Sequence, residues 1–434
     1  MPAFPSSRNR PHVVVIGGGF GGLHAVRTLK RAPVDVTLVD RSNHHLFQPL
    51  LYQVATGALS PANIASPLRS ILRRQRNATV LQATATGFDL HRQTVKLGDD
   101  EIPFDFLVVA AGATHSYFGK EEWASTAPGL KAIDDATEIR GRILSAFERA
   151  ERATDEATRR RCLTFVIVGG GPTGLEMAGA LSELARHTLK REFRRIHPEQ
   201  ARIILVDAAP RVLSVYPESL SQKAAGFLQE FRVDVRNDTL VTAMEPGRVT
   251  LKHHDLEEVV AADTVVWAAG VKASPLAQAL AEGAGLETDR QGRIEVDEKL
   301  SIAGFPNVLV LGDMARAIDD QGQPLPGVAP VAIQQGKYAA RRIGDAIAGR
   351  STPPFRYRDR GSMATVGRAA AVVDAGRFQL AGGFAWLVWL FLHLMLLVSF
   401  ENRLLVFVQW LWSYVTRGRS ARLITRSSSG RSPE

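Results

Sequence analysis

Two stretches of the chain share one arrangement of apolar and polar positions. HVVVIGGGFGGLHAVRTLKR, from His12, reads as an apolar run, a glycine cluster and then apolar residues at helical spacing, with VDVTLVD following. Short apolar runs that do not alternate with polar residues and end in glycine predict strands buried on both faces. The order strand, turn, helix, strand predicts one βαβ unit. The same arrangement returns in CLTFVIVGGGPTGLEMAGALSEL, with IILVDA as its second strand. It is an internal repeat. DFLVVAAGA and TVVWAAGV form a second matched pair, and NVLVLGDMA at 307–315 is a further buried strand ending in Gly-Asp. Shorter strands are expected at 79–84 and 93–97. Short helical patches are expected within 41–75, a charged helical linker over Thr137–Arg161, a basic helix over 186–200 and a helix over 330–348. The fold class is therefore α/β, with two Rossmann-like dinucleotide-binding domains, one of them interrupted by the other.

The last part of the chain breaks this pattern. Phe384–Phe400 is a seventeen-residue run without a charge, and Leu404–Val415 adds twelve more. The first is at the lower limit for a membrane-spanning helix and the second is too short. The expected arrangement is a C-terminal helical, membrane-associated region. Its two helices would lie in one leaflet, with Trp386, Trp389, Trp410 and Trp412 at the interface. Charge sharpens this picture. The chain carries a formal +9, and from Arg356 to the end there are eleven Arg against four acids. The excess thus sits beside the apolar runs, which points to an anionic lipid surface and away from nucleic acid. The single cysteine, Cys162, excludes an internal disulfide, a CxxC redox pair and a cysteine-based metal or iron–sulfur site within one chain. It is read as a small residue opening a buried strand. His44 and His45 lack a matching set of ligands and are read as surface-loop histidines, with no metal expected.

A dinucleotide needs its pyrophosphate close to the backbone at a helix N-terminus. In the first repeat Gly17 allows the tight turn, Gly19 leaves space for phosphate and Gly22 allows the helix to pack, with Phe20 and Gly21 between them. Asp40 ends the next strand, where a carboxylate can accept ribose hydroxyls. In the second repeat Gly169, Gly171 and Gly174 hold the same places, with Pro172, Thr173 and Asp207. Ala111, Gly112 and Gly270 end the paired later strands. An acid at Asp207 disfavours an added 2′-phosphate, so NADH is expected over NADPH, although Arg211 is near enough in sequence to oppose this. The Gly312-Asp313 element assigns the first turn to non-covalent FAD, with Asp313 on the ribityl hydroxyls. The other reading of Asp313 is a helix N-cap.

Together these elements resemble the type II NADH dehydrogenases, single-subunit NADH:quinone oxidoreductases that do not pump protons. The resemblance covers about residues 11–425. Its more specific segments are NHHLFQPLLYQVATG, VGGGPTGLEMAGAL, PVAIQQGKYAA and RGSMATVGRAAAV with the apolar tail. It implies hydride transfer from NADH to FAD, then two electrons to a quinone, ubiquinone or menaquinone. It also implies that Glu176 lies near nicotinamide and flavin, that Gln334 and Gln335 border flavin and quinone, and that Gln48 and Tyr52 line the same region. Two roles fit Glu176, a proton relay or a ribose-binding or capping group. Arg368 stands where some members carry Lys, and Arg cannot release a proton. Pairing through the C-terminal region, as a homodimer, follows from the same resemblance. A place on the cytoplasmic face of the inner (plasma) membrane is expected because residues 1–11 are polar with no apolar signal run and a lone cysteine fits a reduced compartment. Other expectations remain open. They are a different NAD(P)H- or sulfide-linked reductase of the superfamily, or a membrane redox sensor with little turnover. The expected boundaries are a disordered 1–11, an FAD domain at 12–115 and 292–355, and an NADH domain at 116–291. An anchoring region at 356–416 and a basic disordered tail at 417–434 complete them.

Overall fold

The computed structural model describes residues 10–425; the expectations for 1–9 and 426–434 lie outside the described residues. The chain divides into two compact units. The first takes the residues through Leu46, Ala65–Thr114 and Val271–Arg360. The second takes Phe47–Ile64, His115–Gly270 and the chain from Gly361 onward.

The first unit is built on a six-stranded sheet. Its order is Ser301–Ile302, Phe305–Val310, Phe106–Val109, His12–Ile16, Asp35–Asp40 and Ala78–Gln82. His12–Ile16 lies in the interior of the sheet, parallel to both neighbours, with Val13 opposite Val36 and Phe106. All five of its residues are buried. A strand covered on both faces has no polar side to show, so the run reads as continuous Val and Ile. The helix Phe20–Thr28 packs on Ala329–Ile347 so closely that a Cβ at Gly336 would run into the carbonyl oxygen of Gly21.

The second unit repeats the plan on four parallel strands in the order Val233–Arg236, Arg202–Val206, Thr164–Val168 and Thr264–Trp267. A three-stranded antiparallel meander over 239–261 and another over 362–381 extend it. The helix Pro172–Glu183 lies against the strand Ser362–Gly367, and at Gly179 the Val366 carbonyl leaves no room for a side chain. Two apolar helices, Gly383–Leu396 and Phe400–Thr416, follow.

Several details differ from the sequence reading. The basic segment 186–200 is not one helix. It is a π-turn over Leu184–Thr188, a loop and one short helical turn at Pro198–Gln200. Arg186 lies across the loop, bonded to the carbonyls of Glu199 and Ala201. Cys162 ends a helix, Glu156–Cys162, ahead of the strand, and its thiol donates to Asp263 at 3.3 Å. His45 is buried, not on a surface loop. Residues 417–425 are not a free tail. Arg419 is buried, pairs with Glu183 at 3.0 Å and donates to the Thr56 carbonyl, and Arg422 pairs with Glu192 at 2.5 Å. The grouping of segments also differs from the boundaries drawn on sequence. Phe47–Ile64 packs in the second unit, and 271–291 packs in the first, where Ser274 N–H bonds the Gly112 carbonyl.

Candidate functional site

The two glycine turns are built alike. Gly17 has φ +98° and Gly169 has φ +113°, conformations that side chains disfavour. A Cβ at either would also strike backbone of the neighbouring strand end, at Ala110 and Ala268 respectively. At Gly19 and Gly171 a Cβ would meet nothing within 4 Å, so each helix start faces open space. At Gly22 and Gly174 the turn's own carbonyl fills the place of a side chain, which seats the helix. This is a cradle whose backbone N–H groups can hold a pyrophosphate, and the residues present fit a dinucleotide at both turns.

The acids repeat as well. Asp40 Oδ2 accepts from Gly18 N at 2.5 Å and Oδ1 from Ser42 N at 2.6 Å. Asp207 accepts from Gly170 N and, at 2.6 Å, from Ala209 N. Each carboxylate therefore ties its strand end to the turn. A carboxylate has about four acceptor positions, so each keeps capacity for ribose hydroxyls. Arg211 is turned away from Asp207, with its guanidinium on the carbonyls of Ser214 and Tyr216.

Around the first turn, His45 Nδ1 contacts the Gly18 carbonyl at 2.9 Å and its ring meets Phe20 edge-on. Its Nε2 is buried without a protein partner among the described residues. Burial pushes its pKa down to about 4. Its value to the turn was not visible in sequence, where His44-His45 has the look of a loop pair. Ala111 N–H points to the Met314 sulfur. Gly312 has φ +65°, and its N–H donates to Gln335 Oε1 at 2.7 Å, with Gln335 fully buried. Asp313 lies beside Gly327. Gln334 makes both of its amide bonds with the Arg358 backbone, at 2.9 and 3.1 Å. Both glutamines thus hold main chain in place.

In the second unit Glu176 projects from the helix Pro172–Glu183 and is buried. Desolvation raises its pKa well above the usual carboxyl range, although the Thr365 backbone N–H opposes this by bonding it. Its charge would in turn raise the hydroxyls of Tyr52 and Tyr216, both already raised by burial. Tyr52 is buried in the short helix Leu51–Ala55, whereas Gln48 is exposed and donates to the Lys131 carbonyl at 3.1 Å. Phe118, 70% exposed, rests on Gly270, where no Cβ would fit. Sequence reasoning passed over Phe118, since a lone aromatic between polar residues carries no signal. No group of three His, Cys, Asp or Glu among the described residues is placed to hold a metal ion.

Residues 11–336 match a family model described as pyridine nucleotide-disulphide oxidoreductase, and residues 360–420 match one described as NDH2 C-terminal domain. The chain is 48% identical to the type II NADH:quinone oxidoreductase Ndh of Mycobacterium tuberculosis, over 98% of this chain and 92% of that protein. It is 49% identical to NdhA of the same organism, over 96% and 90%. The structure of NDH2 from Plasmodium falciparum in complex with NADH superposes with a TM-score of 0.86 at 18% identity, over 96% of this chain and all of that one. The first matched family is named for disulfide chemistry, which one cysteine cannot supply. Two dinucleotide cradles, a lone thiol and these full-length likenesses make the chain a member of the type II NADH:quinone oxidoreductases, flavoproteins that pass electrons from NADH to a quinone.

Proposed function

We propose that the chain works as a monotopic enzyme on an anionic membrane surface, oxidising NADH and reducing a quinone drawn from the bilayer. The observation that carries this is the outer face of the two C-terminal helices. Phe384, Leu387, Phe391, Leu396, Phe400 and Val415 are each more than half exposed. So large an apolar face is not stable in water and marks a lipid or protein contact. No helix among the described residues is long and apolar enough to cross a membrane. Trp389 and Trp410 are core residues, 1% and 4% exposed, and Trp386 is half-buried, whereas Trp412, 67% exposed, is set to meet headgroups. Arg419 and Arg422 are taken up by Glu183 and Glu192, which leaves fewer cations of this segment for lipid. Pairing of two copies through the same face is the alternative cover for it.

In this reading FAD is held without a covalent bond at the first turn. The helix Phe20–Thr28 takes the pyrophosphate, Asp40 the ribose and Asp313 the ribityl chain. NADH is held at Gly171–Gly174, with Asp207 on its ribose. Arg211, bonded to its own loop, offers no cation for a 2′-phosphate, which favours NADH over NADPH. FAD supplies the hydride-accepting ring and passes on two electrons. The chain positions and protonates. Gln335 fixes the Gly312 turn and Gln334 fixes the main chain at Arg358. Glu176, kept protonated by burial, holds a proton that quinone reduction can draw on. Gln48 and Tyr52 supply polar groups for the quinone head.

The test is flotation of the full-length protein with vesicles of mixed zwitterionic and anionic lipid. We expect wild type to float and a Leu404→Glu/Leu411→Glu variant to stay behind. The variant should also lose turnover with a long-tailed quinone more than with a water-soluble one. A wild-type protein that stays in solution, or a variant that floats equally well, overturns the membrane reading.

A further inference from the structure

Trp410 sits on the second apolar helix but faces inward. Its indole N–H donates to Gln53 Oε1 at 2.8 Å, and Gln53 Nε2 donates to the Tyr52 hydroxyl oxygen at 3.0 Å. All three side chains are buried, at 4%, 7% and 7% exposure. An indole nitrogen is a donor only. Gln53 must therefore turn its carbonyl oxygen to Trp410, which leaves its NH₂ for Tyr52. The Tyr52 oxygen is then the acceptor in that bond. Its own proton points elsewhere and has no acceptor among the described residues. The same C-terminal segment braces the backbone of this helix. Thr56 Oγ donates to the Tyr52 carbonyl at 3.0 Å, Arg419 donates to the Thr56 carbonyl at 3.2 Å, and Ala421 N–H donates to the Gly57 carbonyl at 3.2 Å.

We infer that Trp410 is a positioning residue for quinone reduction: its indole N–H fixes Gln53, and Gln53 holds the Tyr52 hydroxyl as a hydrogen-bond donor to a quinone carbonyl oxygen. The inference rests on the reading that Tyr52 borders the quinone. Without the indole N–H, Gln53 is free to turn over. Tyr52 would then spend its proton on the Gln53 oxygen and be lost as a donor. The direction of the chain matters because negative charge builds on the quinone oxygen as it is reduced. A donor already aimed there stabilises that charge with no reorganisation. Burial keeps the phenol protonated, so it remains a donor throughout the working pH range. An amphipathic helix turned toward lipid on one face thereby sets, through its other face, the polarity of the quinone contact.

The experiment uses the full chain with FAD bound, in detergent, by stopped flow. NADH bleaches the flavin, and a short-tailed ubiquinone analogue restores its colour. Trp410→Phe keeps the ring and removes the N–H, and Tyr52→Phe removes the donor. Each should lower kcat/KM for the quinone by roughly five- to thirtyfold, the loss of one hydrogen bond. The double variant should be no slower than Tyr52→Phe alone, and the rate of flavin reduction by NADH should be the same in all. Should Trp410→Phe fail to fold, Gln53→Met breaks the same chain and is held to the same non-additivity. Additive losses, or a slow Tyr52→Phe beside a Trp410→Phe of wild-type quinone kinetics, overturn the positioning role. A Tyr52→Phe variant that is reoxidised at the wild-type rate overturns the placement of Tyr52 itself.

Discussion

Glu176→Gln separates two consequences of one buried carboxyl. In an unfolded chain the group has an ordinary pKa of 4.5, and in the native state burial raises it well above that. Between the two values the native protein holds a proton that the unfolded chain releases. Stability therefore falls as pH rises across this window, by about 1.4 kcal/mol per pH unit for one proton. Below pH 4.5 both states are protonated and the penalty vanishes. Across two pH units inside that window the loss reaches about 2.7 kcal/mol. Glutamine has nearly the same shape, keeps an acceptor for the Thr365 N–H and does not titrate. The assay is the urea midpoint of wild type and variant, each with FAD bound, measured at half-unit steps of pH. Every other titrating group is common to both proteins, so the difference isolates this one. The variant should gain on wild type steadily as pH rises. Two curves that stay parallel from pH 5.5 to 7.5 would refute the raised pKa. Turnover supplies the second arm. If Glu176 provides a proton, quinone reduction in the variant slows and loses one limb of its pH profile. Unchanged turnover with an unchanged profile removes the proton role and leaves ribose binding or capping.

Gly19→Val has room in the protein alone, so the variant should fold but lose at least tenfold in FAD affinity; Gly171→Val should keep its FAD and raise the KM for NADH, checked by flavin content and initial rates. Asp207→Asn should narrow the NADH over NADPH preference by about tenfold in kcat/KM, since it removes the charge that repels a 2′-phosphate. His45 has its pKa lowered to about 4, so the unfolded chain takes a proton that the native state refuses. Stability should therefore fall as pH drops from 6.5 toward 4, and His45→Gln should flatten that limb of the urea midpoint curve. Arg419→Met should cost about 3 kcal/mol, at the low end for a broken buried pair because Glu183 is partly exposed and keeps the Arg368 N–H, and the thermal midpoint reads it.

The parts legible in the sequence are those in which one residue type has one structural use. A glycine at φ +98° with a backbone atom in its Cβ position has few substitutes, so Gly17 and Gly169 announce their turns. The strands His12–Ile16 and Thr164–Val168 are buried on both faces, so their runs are unmixed. Roles that depend on a partner far along the chain were not legible. Gln335 is visible as part of a motif, but its bond to the Gly312 N–H belongs to the fold. The antiparallel strands over 239–261 are hard to read from sequence because one face is wet. Leu240, Leu256 and Val259 are exposed among polar neighbours, which hides the alternation.

The C-terminal helices show the same limit most sharply. On Gly383–Leu396 nearly every residue is apolar, so periodicity cannot separate a face turned to lipid from a face turned to protein. Composition placed four tryptophans at the interface, and the fold separates them by angle. Trp389 and His393 are four apart and stack on one side, with ring centroids 4.3 Å apart. Phe384, Leu387 and Phe391 take the other side. On Phe400–Thr416 the stripe Asn402, Val406 and Trp410 is buried at the four-residue spacing of a helix, while Leu404, Val408, Leu411 and Val415 are exposed. The polar Asn402 marks the inward stripe, against the usual expectation that a polar residue in an apolar helix faces water. Each helix therefore carries two apolar faces, one buried and one exposed, and only the partners along the chain, Gln53 for Trp410 and Phe47 for His393, tell them apart. A substitution that looks equivalent by hydropathy should then have opposite consequences. Trp412→Phe should weaken the membrane contact and leave quinone kinetics in detergent alone, whereas Trp410→Phe should do the reverse. Equal effects from both would mean that the two faces are not functionally distinct.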